Sequence, residues 1–194
     1  MKQSPKLPAE KRQAQLVEAA MKIIYKKGYA GATTEAIAKQ AGLTKGALYF
    51  HFGNKEDIFF AVVKEMSGRH FSIITKSLFE EPDPLKGLDK MIKNALGLVA
   101  EQKYFTLDFW NHAKLVKKIA DYLVNQNIEI EKKLVAYLKK NAGMTKKQAQ
   151  TLYLLLHTLF DGIVVRHQCC PSCVNFERLQ KDVMDMTKLF LHKR

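Results

Sequence analysis

Two rows of apolar residues near the C-terminus limit most severely what this chain can fold into. Leu152, Leu156, Leu159 and Ile163 step by four, three and four. Phe176, Leu179, Val183, Met186 and Phe190 step by three, four, three and four. An α-helix of about 3.6 residues per turn gathers such positions into one stripe, whereas a strand would scatter them over both faces. A stripe this apolar cannot face water, so each segment is predicted to be a helix that packs against another. No convincing strand alternation and no internal repeat occurs in the 194 residues. Only ten glycines and five prolines punctuate them. The fold class expected is all-α.

Earlier segments read the same way. Leu16, Val17, Ala20, Ile23 and Ile24 recur at helical spacing from Pro8 to about Lys27, where Gly28 stops the helix. A second segment runs from Thr33 to Ala41-Gly42, a third from Thr44 to about Phe52, and a fourth, capped by Asn54, continues to about Phe79. The prolines of Glu80-Glu81-Pro82-Asp83-Pro84 bar helical geometry before each of them, so a linker is predicted there. Beyond it come a helix from about Leu85 to Glu101 and a short aromatic one around Phe105 to His112. One or two more lie between Leu115 and Asn141, with Asn125-Gln126-Asn127 a weak point. Gly143-Met144-Thr145 reads as a stop followed by a cap.

Charge is unevenly spread over this frame. The formal net charge is +13, and residues 1–55 carry ten Lys/Arg against three acids. A basic head on a more balanced body suggests a polyanionic partner. No apolar run approaches the roughly 18 residues that span a bilayer, so no membrane is expected as a partner. The polar N-terminus has no signal-peptide core, and a cytoplasmic protein is expected. An enzyme is not expected, and no cofactor: there is no Gly-x-Ser-x-Gly elbow, phosphate loop or His-Glu-x-x-His motif.

Residues 33–52 have the pattern of a helix-turn-helix. Ala38 is the small residue where two helices cross, and Gly42, four residues on, tolerates positive φ. Ile37, Leu43 and Leu48 fall at the buried contacts, and Thr44 can cap the second helix. Gly46 removes a side chain where DNA approaches closely. The whole stretch from Gly28-Tyr29-Ala30-Gly31-Ala32-Thr33-Thr34 through Ala38, Gly42 and Leu48-Tyr49-Phe50-His51-Phe52 to Lys55-Glu56-Asp57-Ile58 resembles the signature of the TetR (tetracycline-repressor) family. Further on, only helix number and length and the Asp161-Gly162 pair in a Leu-rich helix are similar.

That resemblance implies an N-terminal three-helix DNA-binding domain, residues 1–55, and a larger helical domain for effector binding and dimerisation, residues 56–194. It implies a homodimer on a palindromic operator in double-stranded DNA, acting as a ligand-responsive transcriptional regulator, as a repressor in the leading reading and an activator in the other. Carried over position by position, Thr33, Thr34, Tyr49, His51 and Lys55 touch the DNA backbone, and Thr44, Lys45 and Ala47 face base edges. Thr33 also caps the motif's first helix, and its neighbouring amides can meet a phosphate. Lys45 can donate to guanine and the Ala47 methyl can touch a thymine methyl. Phe50 and Phe52 are read as core aromatics.

In the body, Met91, Phe105, Phe109, Trp110, Tyr122, Tyr153, His157 and Phe160 are, as a set, the candidates to line the pocket of an unknown small-molecule effector, although any single member taken alone reads first as core packing. The two apolar stripes, Leu152, Leu156, Leu159, Ile163 and Phe176, Leu179, Val183, Met186, Phe190, are assigned to the dimer interface, as half of a four-helix bundle. His167-Gln168-Cys169-Cys170-Pro171-Ser172-Cys173 lies outside the family pattern and leaves three readings open. It is a loop of small inert residues, a metal site using His167, Cys169, Cys170 and Cys173, or a redox switch on the same thiols. Three clustered cysteines make no disulfide framework of a secreted scaffold.

Overall fold

A computed structural model describes residues 8–101 and 111–192, and among them the protein is all α, with no strand. The helices are α1 (Ala9–Gly31), α2 (Thr34–Gln40), α3 (Lys45–His51), α4 (Lys55–Phe79), α5 (Pro84–Ala100), α6 (Lys117–Ala142), α7 (Lys146–Cys169) and α8 (Phe176–His192). A 3-10 turn, Pro171–Cys173, joins the last two. The chain forms two compact units. Among described residues the first holds 8–68 and 111–120, the second 69–101 and 121–192. The first unit therefore runs beyond residue 55: Ile58, Phe59, Val62, Val63 and Met66, on the leading half of α4, are all buried.

In the first unit, α1, α2 and α3 pack on one another. Leu16, Ala20, Ile37, Ala38 and Leu48 are almost wholly withdrawn from solvent. At Gly28 the chain leaves helical geometry with φ 70°, and one further turn carries α1 to Gly31. The predicted stop is thus a kink, because glycine alone adopts such a φ without steric cost.

The second unit is built around α5, which packs against both α7 and α8. Its core gathers Leu88, Ile92 and Leu96 of α5, Leu134 and Leu138 of α6, Leu152, Leu156 and Ile163 of α7, and Val183 of α8. The predicted linker is a tight turn. Asp83 accepts hydrogen bonds from the Leu85 and Lys86 amides at 2.9 and 3.3 Å, and Pro84 opens α5 where its missing N–H costs nothing. At the other reversal Thr145 and Gln148 form a reciprocal capping box. The weak point expected at Asn125-Gln126-Asn127 does not interrupt α6. The Asn127 side chain pairs with His157 Nε2 at 3.1 Å instead of competing for its own backbone.

Gly87 marks the closest approach in this unit. The Tyr137 hydroxyl donates to the Glu81 carbonyl at 2.7 Å, and a Cβ added at Gly87 would lie 2.8 Å from that hydroxyl and 3.0 Å from Leu78 Cδ1. At Gly68, inside α4, an added Cβ meets nothing within 4 Å among the described residues. Gly87→Ala is therefore expected to lower stability by about 1–3 kcal/mol from overpacking, less the helix-propensity gain of up to about 1 kcal/mol. Gly68→Ala is expected to raise it by up to about 1 kcal/mol. Urea denaturation of both variants checks the pair, and equal shifts would refute the packing assignment.

Candidate nucleic-acid interface

Two helices of seven residues each are too short to persist alone, and the first unit holds them by capping and packing. Thr33 Oγ1 accepts from the Ala36 amide at 3.1 Å, and Thr44 Oγ1 accepts from the Ala47 amide at 3.2 Å. Between the helices, Gly42 takes φ 66°, its amide donating to Lys39 O at 3.0 Å, and the Leu43 amide donates to Ala38 O at 2.9 Å. From α1, Gln15 Nε2 donates to the Ala41 carbonyl at 2.8 Å and fixes the turn. The predicted residues 33–52 are thus a helix-turn-helix, with a threonine cap on each helix.

The candidate DNA contacts fall into two groups. Thr33, Thr44, Lys45 and Tyr49 are exposed. Thr34 is buried, and its hydroxyl shares a hydrogen bond with Tyr49 Oη at 3.4 Å, which aims the tyrosine rather than reaching outward. Ala47 and His51 are partly buried. Lys45 forms an ion pair with Glu35 across the two helices, and its ammonium lies 5.8 Å from the centre of the Tyr49 ring. The hydrogen bond from Lys45 holds the Glu35 carboxyl below the usual carboxylate range, and the same bond pushes the Lys45 ammonium up. Lys55 turns inward: Nζ donates to the Tyr29 carbonyl at 2.8 Å and lies 4.1 Å from the centre of the Tyr29 ring. That ring also stacks on Phe59 and His112, at 4.2 and 4.4 Å between centroids. Lys55 therefore fixes the turn after Gly28 to the start of α4.

Phe52 is buried, at 9% exposure, but Phe50 is 85% exposed. The reading of both as core aromatics fails for Phe50. Phe50, two residues after the buried Leu48, points to the opposite side of α3, whereas Phe52 lies just beyond the helix as its extended cap and turns back into the core. Glu35 escapes sequence reasoning for another reason: its role rests on a pairing across two helices.

In the second unit the stripes assigned to a dimer interface close the protomer's own core. Leu152 and Ile163 of α7 and Val183 of α8 are buried there, with Leu159, Phe176, Leu179 and Phe190 packed against them. Their periodicity reported a buried face, and a bundle within one chain satisfies it. Of the nine only Met186 is exposed. On α7 and α8 the large apolar residues that face outward are Leu154, at 63%, Leu155 and Val165, and Met186 and Leu189, at 70%; Ile73 and Phe79 of α4 and Val124 and Ile128 of α6 are exposed as well.

Of the effector candidates, Phe105, Phe109 and Trp110 lie outside the described residues. Met91, Tyr153 and Phe160 pack half-buried against the core, and Tyr122 is also half-buried. Tyr153 and His157 come together, with ring centroids 5.5 Å apart. Tyr153 Oη donates to Asn127 O at 3.3 Å, and His157 Nδ1 lies 3.3 Å from the Asp161 carboxylate. Burial, reinforced by Glu131 and Asp161, pushes the Tyr153 phenol up to about 12, so it keeps its proton at neutral pH.

The cysteine segment is local. Cys170 and Cys173 are joined in a disulfide across the 3-10 turn, and Cys169 stands outside it, exposed. The His167 ring sets its edge on Phe176 at 5.2 Å, and both ring nitrogens are shielded with no hydrogen-bond partner among the described residues. The metal reading is corrected: two of its four ligands are spent on each other, and no group of three or more His, Cys, Asp or Glu among the described residues is placed to hold an ion. No described helix is long and apolar enough to cross a membrane.

Comparison with known proteins follows the same division. The family model "Bacterial regulatory proteins, tetR family" matches residues 16–62. The HTH-type transcriptional regulator TtgR of Pseudomonas putida is 38% identical over 85 residues, 43% of this chain and 40% of that protein. The chain thus matches less than half of that relative's length. PksA, an HTH-type transcriptional regulator of Bacillus subtilis, is 27% identical over 185 residues, covering 90% of this chain and 87% of its own. A transcriptional regulator from a Rhodococcus species has the same fold, with a TM-score of 0.79 at 21% identity over 92% of this chain and 95% of that one. Residues 16–62, with the capped helix-turn-helix inside them, match the DNA-binding domain of the tetR family of bacterial regulatory proteins, and the all-α chain shares its fold with a transcriptional regulator.

Proposed function

We propose that the protein is a cytoplasmic, dimeric, ligand-responsive repressor that binds a palindromic operator through residues 33–55. The observation that carries this reading is the pair of short capped helices exposing Thr33, Thr44, Lys45 and Tyr49 in a segment, residues 1–55, with ten basic residues against three acidic. Oriented threonine caps and a tyrosine position a phosphate backbone, and the excess charge releases counterions on binding. One short recognition helix reads few bases, so a two-fold pair of heads on successive major grooves supplies the rest.

The second copy docks on the outward apolar residues of α7 and α8, not on the core stripes. Leu154, Val165, Met186 and Leu189 expose hydrocarbon that an isologous contact removes from water. The effector is a small, largely apolar molecule held in the second unit near Met91, Tyr122, Tyr153, His157 and Phe160. The Tyr153 phenol, whose proton goes to Asn127 O, offers the ligand a hydrogen-bond acceptor. Such a ligand lowers DNA affinity by as much as DNA lowers affinity for the ligand.

Selection from a random pool of duplexes tests the reading. A palindrome is expected to emerge, bound with an affinity that falls steeply with salt. Tyr49→Ala is expected to weaken binding to every sequence alike by on the order of tenfold, as loss of a backbone contact does. Failure to enrich any duplex would refute DNA recognition.

The Glu35–Lys45 pair gives a prediction of opposite sign. Glu35→Gln releases the Lys45 ammonium from its internal partner, so operator affinity is expected to rise several-fold and the salt slope to steepen by about one. Fluorescence anisotropy across a salt series reads both. Unchanged affinity would mean that Lys45 never meets the nucleic acid.

Assembly separates the two candidate faces. Leu154→Glu with Leu189→Glu is expected to yield a folded monomer at micromolar concentration, whereas Val183→Glu places a charge in the core and unfolds the second unit. Sedimentation with circular dichroism distinguishes these outcomes. A dimer that survived both exposed-face substitutions would place the interface elsewhere.

A further inference from the structure

We infer that Phe50 is a base-reading residue, and that the outward ridge of α3 recognises a thymine through its C5-methyl group. The inference rests on the DNA-binding reading above and adds to it the residue and the base.

The geometry comes from the seven residues of α3, Lys45–His51. Leu48 is completely buried and sets the inward direction of the helix. At about 100° per residue, positions two before and two after Leu48 lie diametrically outward, and these are Gly46 and Phe50. They are four residues apart and so stack on one face, with Ala47 beside them. A Cβ added at Gly46 would meet only Thr44 Oγ1, at 3.9 Å, so the position is open and its backbone is bare on that face. Phe50 stands one turn from this bare backbone, 85% exposed, its ring set edge-on to His51 at 5.2 Å.

The chemistry of this ridge is apolar. Its neighbour with the strongest hydrogen-bonding group, Lys45, sits about 140° round the helix from Phe50 and is engaged by Glu35. In the major groove only thymine offers a hydrocarbon group, and a phenyl ring one turn from a bare glycine backbone can cover that methyl while the helix comes close. A partner protein is a poorer match for the same surface, because the surrounding head carries a strong positive excess. The ridge therefore reads a methyl rather than a donor–acceptor pattern.

The test uses the full-length protein and its selected operator. Each thymine of the half-site is replaced in turn by deoxyuridine, which removes only the methyl group. For the parent protein, one position per half-site is expected to cost about fourfold in affinity, the worth of one buried methyl, and roughly fifteenfold when both half-sites are changed. Phe50→Ala is expected to weaken binding to the thymine operator at unchanged salt slope and to lose nothing further on uracil at that position. Phe50→Leu, which restores hydrocarbon, should recover part of the discrimination. Circular dichroism of both variants should match the parent, since Phe50 packs against no core. Uracil-neutral binding by the parent, or equal uracil sensitivity in the parent and Phe50→Ala, would overturn the assignment while leaving DNA binding intact. Failure of the parent to enrich any duplex would overturn the broader reading and this one with it.

Discussion

Everything the first unit presents outward depends on two threonine hydroxyls. A helix of seven residues has four unpaired amides at its start and little internal bonding to offset the entropy of forming it. Thr33 and Thr44 each satisfy one of those amides, and the extended backbone at each cap turns the chain into its helix. Packing does the rest: Ile37, Ala38 and Leu48 are buried where α1, α2 and α3 meet. Substituting a cap of this kind typically costs about 1 kcal/mol, which is large against helices this short. The same hydroxyls lie at the surface assigned to DNA, so the group that makes the helix also marks where it can be used.

The second unit solves a different problem. Its helices are long enough to pack, and their stripes are satisfied inside one chain. Leu152, Leu156 and Ile163 of α7 meet the α5 and α6 residues in a common core. Closure at the turns comes from side chains again, with Asp83 on the amides of α5 and Thr145 with Gln148 on those of α7. Gly87 allows α5 to approach Leu78 and Tyr137 more closely than any side chain would permit. Polar groups between α6 and α7 are paired rather than excluded, as Asn127, Tyr153 and His157 show.

The fold was legible because helical periodicity, glycine stops and capping residues are local signals. Each helix end near Gly42, Asn54, Pro84 and Thr145 has a residue whose chemistry requires it. What the sequence could not give was the identity of the partner for an apolar stripe. A heptad-like row is equally satisfied by a second copy or by another helix of the same chain, and here the second solution holds for Leu152, Ile163 and Val183. Phe50 is easily misplaced because two aromatics near a motif's end look alike, and only the point where the helix gives way to the extended Phe52 decides which of them turns inward. The Lys45–Glu35 pair was beyond reach, since it joins residues ten apart through the angle of a turn. The disulfide shows the same limit: Cys170 and Cys173 lie close in sequence, but only the 3-10 turn decides which two of three sulfurs meet.

The composition of the first unit carries a consequence for how this protein can be taken apart. Residues 111–120 belong to it although they follow α5 in the chain. Ala113 and Ile119 are buried, His112 lies on Tyr29, and Lys118 pairs with Asp57. The unit that bears the helix-turn-helix is therefore discontinuous. A fragment cut at Gly68 would lack the segment that covers part of its own apolar surface. Shuffling the head onto another body at a single crossover would leave the same gap. Residues 111–120 therefore have to be carried along wherever the head is moved.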